Sequence, residues 1–242
     1  RAVAREAVSE SLVLLKNENQ ALPLDAGAAQ TVFIAGAAAD NLGIQSGGWS
    51  IEWQGFNQNG ATVGTTILQA LEAGFGENTT VQYSPRGNFD GNPAHADIGI
   101  VVIGEPPYAE YMGDDADLAT NGRDARLIAD MRGQVDKLIV ILLSGRPLVI
   151  DTELNLADAY VAAWLPGTEG EGVADVLFGQ HEFVGRLSYT WLRNIEQLPF
   201  DFTALPTEGC DAPLFPYGYG LSYADTSAAA PWLELAAACA SE

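Results

Sequence analysis

Ile98-Gly99-Ile100-Val101-Val102-Ile103-Gly104 is the stretch on which the fold turns. It is strand length, apolar or glycine throughout and rich in β-branched side chains. A strand with one wet face alternates apolar and polar residues; a strand apolar on both faces belongs to a sheet covered by helices on both sides, which points to parallel pairing. Working outward, the same kind of run recurs at Thr31-Val32-Phe33-Ile34-Ala35-Gly36, at Leu138-Ile139-Val140-Ile141-Leu142-Leu143-Ser144-Gly145 and at Ala159-Tyr160-Val161-Ala162-Ala163-Trp164. A weaker strand is expected at Val81-Gln82-Tyr83-Ser84.

Between these runs lie stretches with helical spacing. The apolar positions Ala7, Val8, Leu12 and Leu15 predict an amphipathic opening helix over residues 4–16, stopped by Asn17-Glu18-Asn19 and Leu22-Pro23-Leu24. Further helices are expected over residues 65–74, 123–135 and 171–177. Alternating strands and helices predict an α/β fold: a three-layer α/β/α sandwich around a mostly parallel sheet of five or six strands. The organisation expected along the chain is an opening helix and linker over 1–24, the sandwich over 25–223, and an Ala-rich tail, linker or terminal helix over 224–242.

The chain has 242 residues, 48% of them hydrophobic, so it can bury a sizeable core. Its 32 acidic residues outnumber 11 basic ones, for a net charge of −21. Nucleic acids and anionic membrane surfaces are bound through Lys and Arg, and a chain this acidic with no basic run is repelled by both. The expected partners are neutral or cationic. No apolar run approaches the length of a membrane span. The sequence opens on Arg1 without an initiator Met or a secretory leader, which is expected of a processed protein or a piece of a longer one. Cys210 and Cys239 lack metal-type spacing; they can pair in an oxidising compartment or stay free, and spacing alone does not choose.

In a sheet of this kind ligands gather beyond the carboxyl ends of the strands. The loop after the first strand holds Ala39-Asp40-Asn41 and then Gly47-Gly48-Trp49-Ser50-Ile51-Glu52-Trp53-Gln54-Gly55. Two tryptophans in a polar, glycine-bounded loop either anchor that loop to the core or form a platform for the apolar face of a sugar ring. The 98–104 run leads into Glu105-Pro106-Pro107-Tyr108-Ala109-Glu110-Tyr111-Met112-Gly113-Asp114-Asp115-Ala116-Asp117. Crowded carboxylates beside aromatics are expected to raise one another's proton affinity, as a general acid requires. The other readings are a solvated acidic loop or a calcium site from Asp114, Asp115 and Asp117, whose spacing is not that of an EF-hand.

Leu165-Pro166-Gly167-Thr168-Glu169-Gly170-Glu171-Gly172 has the outline of a phosphate loop but no Lys, and two acids stand where an anion would bind. His95 and His181 are far apart, with no nucleophile elbow and no zinc spacing around them.

Taken in order, these segments resemble the second domain of glycoside hydrolase family 3. The resemblance runs from Ser11-Leu12-Val13-Leu14-Leu15-Lys16-Asn17 and Leu22-Pro23-Leu24 through the paired-tryptophan loop, Gly104-Glu105-Pro106-Pro107-Tyr108-Ala109-Glu110, Ser144-Gly145-Arg146-Pro147 and Ala162-Ala163-Trp164-Leu165-Pro166-Gly167-Thr168-Glu169-Gly170. It continues to Gly185-Arg186-Leu187 and Pro216-Tyr217-Gly218-Tyr219-Gly220-Leu221, covering about residues 4–223. The Gly47–Gly55 segment is most similar to the exo-acting β-glucan glucohydrolases.

The resemblance implies an enzyme of two domains, a barrel carrying a nucleophilic carboxylate and a sandwich closing the active-site pocket. It assigns Glu110 as the general acid/base, with Glu105 as the competing candidate, and gives Trp53 the stacking role on the leaving-group side with Trp49 in support. The implied reaction is retaining hydrolysis of β-glucosidic bonds from non-reducing ends, in an extracytoplasmic setting and with neither cofactor nor metal. The implied partners are a β-glucan oligosaccharide or β-glucoside and the barrel of the same protein. No Asp here matches the nucleophile segment, so the chain by itself is expected to be inactive. A non-catalytic carbohydrate-binding or scaffolding domain, and a receiver-like or flavin-binding domain, are the competing functions; acidic loops disfavour the latter.

Overall fold

The computed structural model describes residues 1–89, 91, 93–224 and 230–239. Among these, six strands form one sheet: β1 (Val13–Asn17), β2 (Gln30–Ala35), β3 (Thr79–Ser84), β4 (Ala96–Gly104), β5 (Val135–Leu143) and β6 (Ala159–Ala162), in the order β1-β6-β5-β4-β2-β3. Only β1, at one edge, runs antiparallel to its neighbour. The run that decided the fold is the centre of the sheet. Ile100 pairs in register with Ile139 and Ile34, and Ile100, Val101 and Val102 are wholly buried. Side chains of this kind contribute about 1.5–3 kcal/mol each when fully buried, so the sheet's two apolar faces are where the fold's stability is concentrated.

From the centre the chain winds in both directions: β2 leads through α3 (Ile67–Gly74) to β3, and β4 through α4 (Gly122–Arg132) to β5. Right-handed crossovers that step in opposite directions put their helices on opposite faces. Accordingly α3 packs with α6 (Gly170–Leu177), which also meets α1 (Ala2–Ser11), while α4 packs with α5 (Asp151–Leu156) and α5 with α7 (Ala230–Cys239). The result is the expected three-layer sandwich, with α2 (Leu42–Ser46) added in the loop after β2.

Three expected boundaries are corrected. The opening helix ends at Ser11 instead of Lys16, and Leu12, Val13, Leu14 and Leu15 run extended and wholly buried. Four successive apolar residues overfill one helical face, whereas an edge strand covered on both faces accommodates them; β1 is held by β6, by the pairing of Leu14 with Leu221 and by the Tyr219 hydroxyl donating to the Leu15 carbonyl at 2.8 Å. The helix expected to reach Val135 stops at Arg132, and Val135 starts β5. The run expected to reach Trp164 as a strand ends at Ala162, because Trp164 adopts a left-handed backbone with φ 53°.

Of the expected tail, residues 225–229 and 240–242 lie outside the described residues. The intervening α7 returns to the body of the domain, where Leu233 and Ala236 are buried, and Cys239 is disulfide-bonded to Cys210. A bridge across a sequence separation of 29 residues stabilises a fold by about 3–4 kcal/mol on loop-closure entropy. Reduction, or Cys239→Ser, is therefore expected to lower the thermal midpoint and to lose the α7 contribution to far-UV circular dichroism. An unchanged midpoint on reduction would mean that the bridge adds nothing to stability.

Candidate active-site loops

The strand order reverses between β2 and β4, and the two chain segments leaving their carboxyl ends border the crevice that such a reversal opens. β2 leaves the sheet at Gly36, whose φ of 98° and closeness to the Val102 carbonyl, 2.0 Å from where a Cβ would stand, admit no side chain. Asn41 caps α2 by accepting a hydrogen bond from the Ile44 amide at 3.1 Å. After α2 the chain folds into a tight loop closed by the Trp49 amide donating to the Trp53 carbonyl at 3.0 Å and by Ser50 Oγ donating to the Ser46 carbonyl at 3.1 Å. Trp49 and Ile51 have φ of 60° and 66°. Such conformations are costly for bulky and β-branched residues, and they persist where the surroundings impose them. Their effect is to turn both indoles outward: Trp49 is 69% exposed and Trp53 43%, with ring centroids 6.4 Å apart. The reading in which these tryptophans anchor the loop to the core does not fit that exposure.

The second loop, after β4, is locked on one side and free on the other. Glu105 Oε1 accepts from Arg146 Nε at 3.0 Å and Nη2 at 2.6 Å, and Oε2 accepts from the Tyr108 hydroxyl at 3.0 Å. The Arg146 guanidinium also stacks 4.7 Å above the Tyr108 ring and donates to the Gly113 carbonyl. Burial first, then the neighbouring Glu105 charge, pushes the Tyr108 hydroxyl up to about 12, so it stays a hydrogen-bond donor. Glu105 is thus fully committed to holding the loop. Glu110 is not: it sits at φ 53°, exposed, with no hydrogen-bond or ion-pair partner for its carboxylate among the described residues.

The two loops are clamped together. Gln54 Oε1 accepts from the Ala109 amide at 2.8 Å while Gln54 Nε2 donates to the Ala109 carbonyl at 3.2 Å, one residue before Glu110. On the other side of Glu110, the Tyr111 ring meets Trp53 edge to face at 6.0 Å. A Cβ at Gly48 would lie 1.9 Å from the Tyr108 carbonyl oxygen, so the backbones touch there. Gly48→Ala must push the loops apart by more than an ångström. The expected outcome is a loosened contact between Trp53 and Tyr111, read as a changed tryptophan fluorescence, with the overall fold retained by circular dichroism.

The structure thus brings Trp49, Trp53 and Glu110 into one open, aromatic and acidic patch. Gln54, Tyr111 and Arg146 were not singled out from sequence. Their partners lie across the two loops or on β5's exit, and only the aromatic character of Tyr111 beside Glu110 offered a signal. The expectation that crowding raises the acids' proton affinity fails at Asp115, where hydrogen bonds from the Asp117 and Leu118 amides hold the carboxyl below its usual range. Asp114, Asp115 and Asp117 do not converge: among the described residues no group of three or more His, Cys, Asp or Glu could hold a metal ion.

The phosphate-like loop is a structural latch, with Glu169 buried against Arg1 at 3.1 Å and Glu171 accepting from Thr65 Oγ1 at 2.6 Å. His95 pairs with Asp136 at 2.8 Å beside the amino ends of β4 and β5, at the opposite end of the sheet. A groove of about 540 Å³ on the far side of Arg146 is lined by Leu118, Tyr189, Phe200, Phe202 and Tyr217, among others, and by no carboxylate. The free carboxylate of Glu110 stands on the open loops and not in that hollow.

The family model for the glycosyl hydrolase family 3 C-terminal domain matches residues 12–223. The chain belongs to that family. The family 3 domain described here is 31% identical to the lysosomal beta glucosidase of Dictyostelium discoideum, over 92% of this chain and 29% of that protein. It is 28% identical to the periplasmic beta-glucosidase of Salmonella typhimurium, over 92% of this chain and 35% of that one. Among solved structures, the exo-1,3/1,4-beta-glucanase of a Pseudoalteromonas species superposes with a TM-score of 0.79 at 39% identity, covering 93% of this chain and 28% of that one. The family 3 domain therefore spans about a third of the length of the relatives it matches.

Proposed function

We propose that the protein to which this domain belongs is a retaining β-glucosidase or exo-β-glucanase that releases glucose from non-reducing ends. In this reading Glu110 is the general acid/base and Trp53, supported by Trp49, stacks on the sugar of the leaving group. The observation that carries it is a free, exposed carboxylate between Ala109, which is clamped to Gln54, and Tyr111, whose ring meets Trp53, at the strand-order reversal of a family 3 domain.

The path of the proton follows from that arrangement. A carboxylate supplied by a barrel domain attacks the anomeric carbon as the glycosidic C–O bond breaks, and protonated Glu110 gives its proton to the departing oxygen. Glu110, now a carboxylate, takes a proton from the incoming water, whose oxygen displaces the barrel carboxylate and restores both groups. The Glu110 carboxylate is available for this work because Arg146 and Tyr108 are engaged by Glu105. No step needs a cofactor.

An uncharged sugar tolerates the net charge of −21, which would repel an anionic polymer. The Cys210–Cys239 bridge and the periplasmic and lysosomal settings in the names of relatives support an extracytoplasmic location. On this view most of the other carboxylates are surface groups that maintain solubility. The deciding experiment replaces Glu110 by Gln in the full-length protein and follows β-glucoside hydrolysis. A large loss supports the reading; undiminished hydrolysis would leave the domain a carbohydrate-binding scaffold.

A further inference from the structure

We infer that Tyr111 is a specificity-determining residue that selects saccharide leaving groups over small ones. The inference rests on the reading of Glu110 and Trp53 given above and extends it to a side chain whose only part so far is its ring contact with Trp53.

Tyr111 is 65% exposed, although an aromatic side chain of its size gains by burial, and its hydroxyl has no partner among the described residues. Its ring is not loose against solvent: it stands at 63° to the Trp53 indole with centroids 6.0 Å apart. Two flat apolar surfaces at this angle make a corner, and Tyr111 is bonded directly to Glu110, the group that protonates the departing oxygen. A leaving sugar stacked in that corner has Trp53 under one surface and Tyr111 beside it. The ring edge borders the sugar's apolar C–H surface, and the free hydroxyl can donate to, or accept from, a sugar hydroxyl. The turn that begins at Glu110 holds this geometry, through the left-handed Glu110 backbone and the Asp114 amide donating to the Tyr111 carbonyl at 3.2 Å. A leaving group too small to reach the corner gains nothing from it.

The test compares two substrates of the full-length protein that share the glucosyl group: a β-linked glucose disaccharide, and β-glucosyl fluoride, whose leaving group has no ring. Tyr111→Ala is expected to lower kcat/KM for the disaccharide about fivefold to tenfold more than for the fluoride, the worth of one aromatic contact beyond any loss common to both. Tyr111→Leu, which keeps apolar bulk without the flat ring, should reproduce the split, and Tyr111→Phe should keep most disaccharide activity. Equal losses on both substrates would place Tyr111 in the support of Glu110 or of the fold and overturn the inference, as would an unchanged disaccharide rate. A failure of the underlying reading is separately visible, because Glu110→Gln and Trp53→Ala would then leave disaccharide hydrolysis intact.

Discussion

Replacing Glu110 by glutamine in the full-length protein is expected to lower kcat for a β-glucoside with a poor leaving group by about 10²–10⁴-fold, the usual worth of a general acid/base. Glutamine keeps the volume and the polarity of the side chain but carries no exchangeable acid proton. The exposed position makes no hydrogen bond that the change would break among the described residues, so the folded state should be untouched.

The loss should also depend on the leaving group. An activated aryl glucoside departs without protonation, so its first step survives and the glycosyl-enzyme waits for a base to activate water. Azide needs no such base, and adding it should restore turnover while yielding β-glucosyl azide.

Glu105→Gln offers the contrast. It weakens the ion pair to Arg146, whose contacts with Tyr108 and Gly113 hold the loop. Its effect should appear as lost stability and a uniformly lowered rate that azide does not relieve. If Glu105→Gln showed the azide response and Glu110→Gln did not, the two roles would be reversed.

How much of this was legible in sequence depended on whether a feature was local. β4 and β5 are continuous apolar runs whose strand character is written in their own residues, and their parallel pairing follows from the two buried faces. β1 is different. Leu12-Val13-Leu14-Leu15 suits either a helix or a buried strand, and what decides is the pairing with β6, whose residues 159–162 lie far along the chain, and with Leu221. The short α5 passed unnoticed because it shows no apolar stripe: its buried residues are Glu153 and Leu154 alone.

The candidate site divides in the same way. Trp49, Trp53 and Glu110 came from ordered motifs and the family they resemble. The arrangement that makes them a unit is carried by pairs distant in sequence: Gln54 with Ala109, Trp53 with Tyr111, Arg146 with Glu105. No composition or spacing rule reaches such pairs. The left-handed backbone of Trp49, Ile51 and Glu110 was equally hidden, since nothing in those residue types announces it. It is these strained positions, close against glycines at 48 and 55, that aim the side chains outward.

The isolated 242-residue chain is expected to hydrolyse no β-glucoside above the uncatalysed background, and the reason lies in its carboxylates. Retaining hydrolysis needs two carboxyl groups about 5 Å apart on opposite sides of the scissile bond. In the loop that carries Glu110, Glu105 is held by Arg146 and Tyr108, and Asp115 accepts from its own turn amides. Neither is free to attack an anomeric carbon, and the remaining acids of the loop, Asp114 and Asp117, do not match the nucleophile segment of the family. A single open aromatic wall also gives a sugar little purchase, so binding of a glucose disaccharide to the chain alone should be millimolar or weaker, about −4 kcal/mol or less in magnitude.

Joining the domain to a barrel that supplies the second carboxylate should restore turnover, with the β-anomer as the first product seen by proton NMR, because two inversions amount to retention. Enzyme-like turnover by the chain alone that vanished with Glu110→Gln would mean that both carboxyl groups reside in this domain. It would also mean that the division of the active site between two domains is wrong.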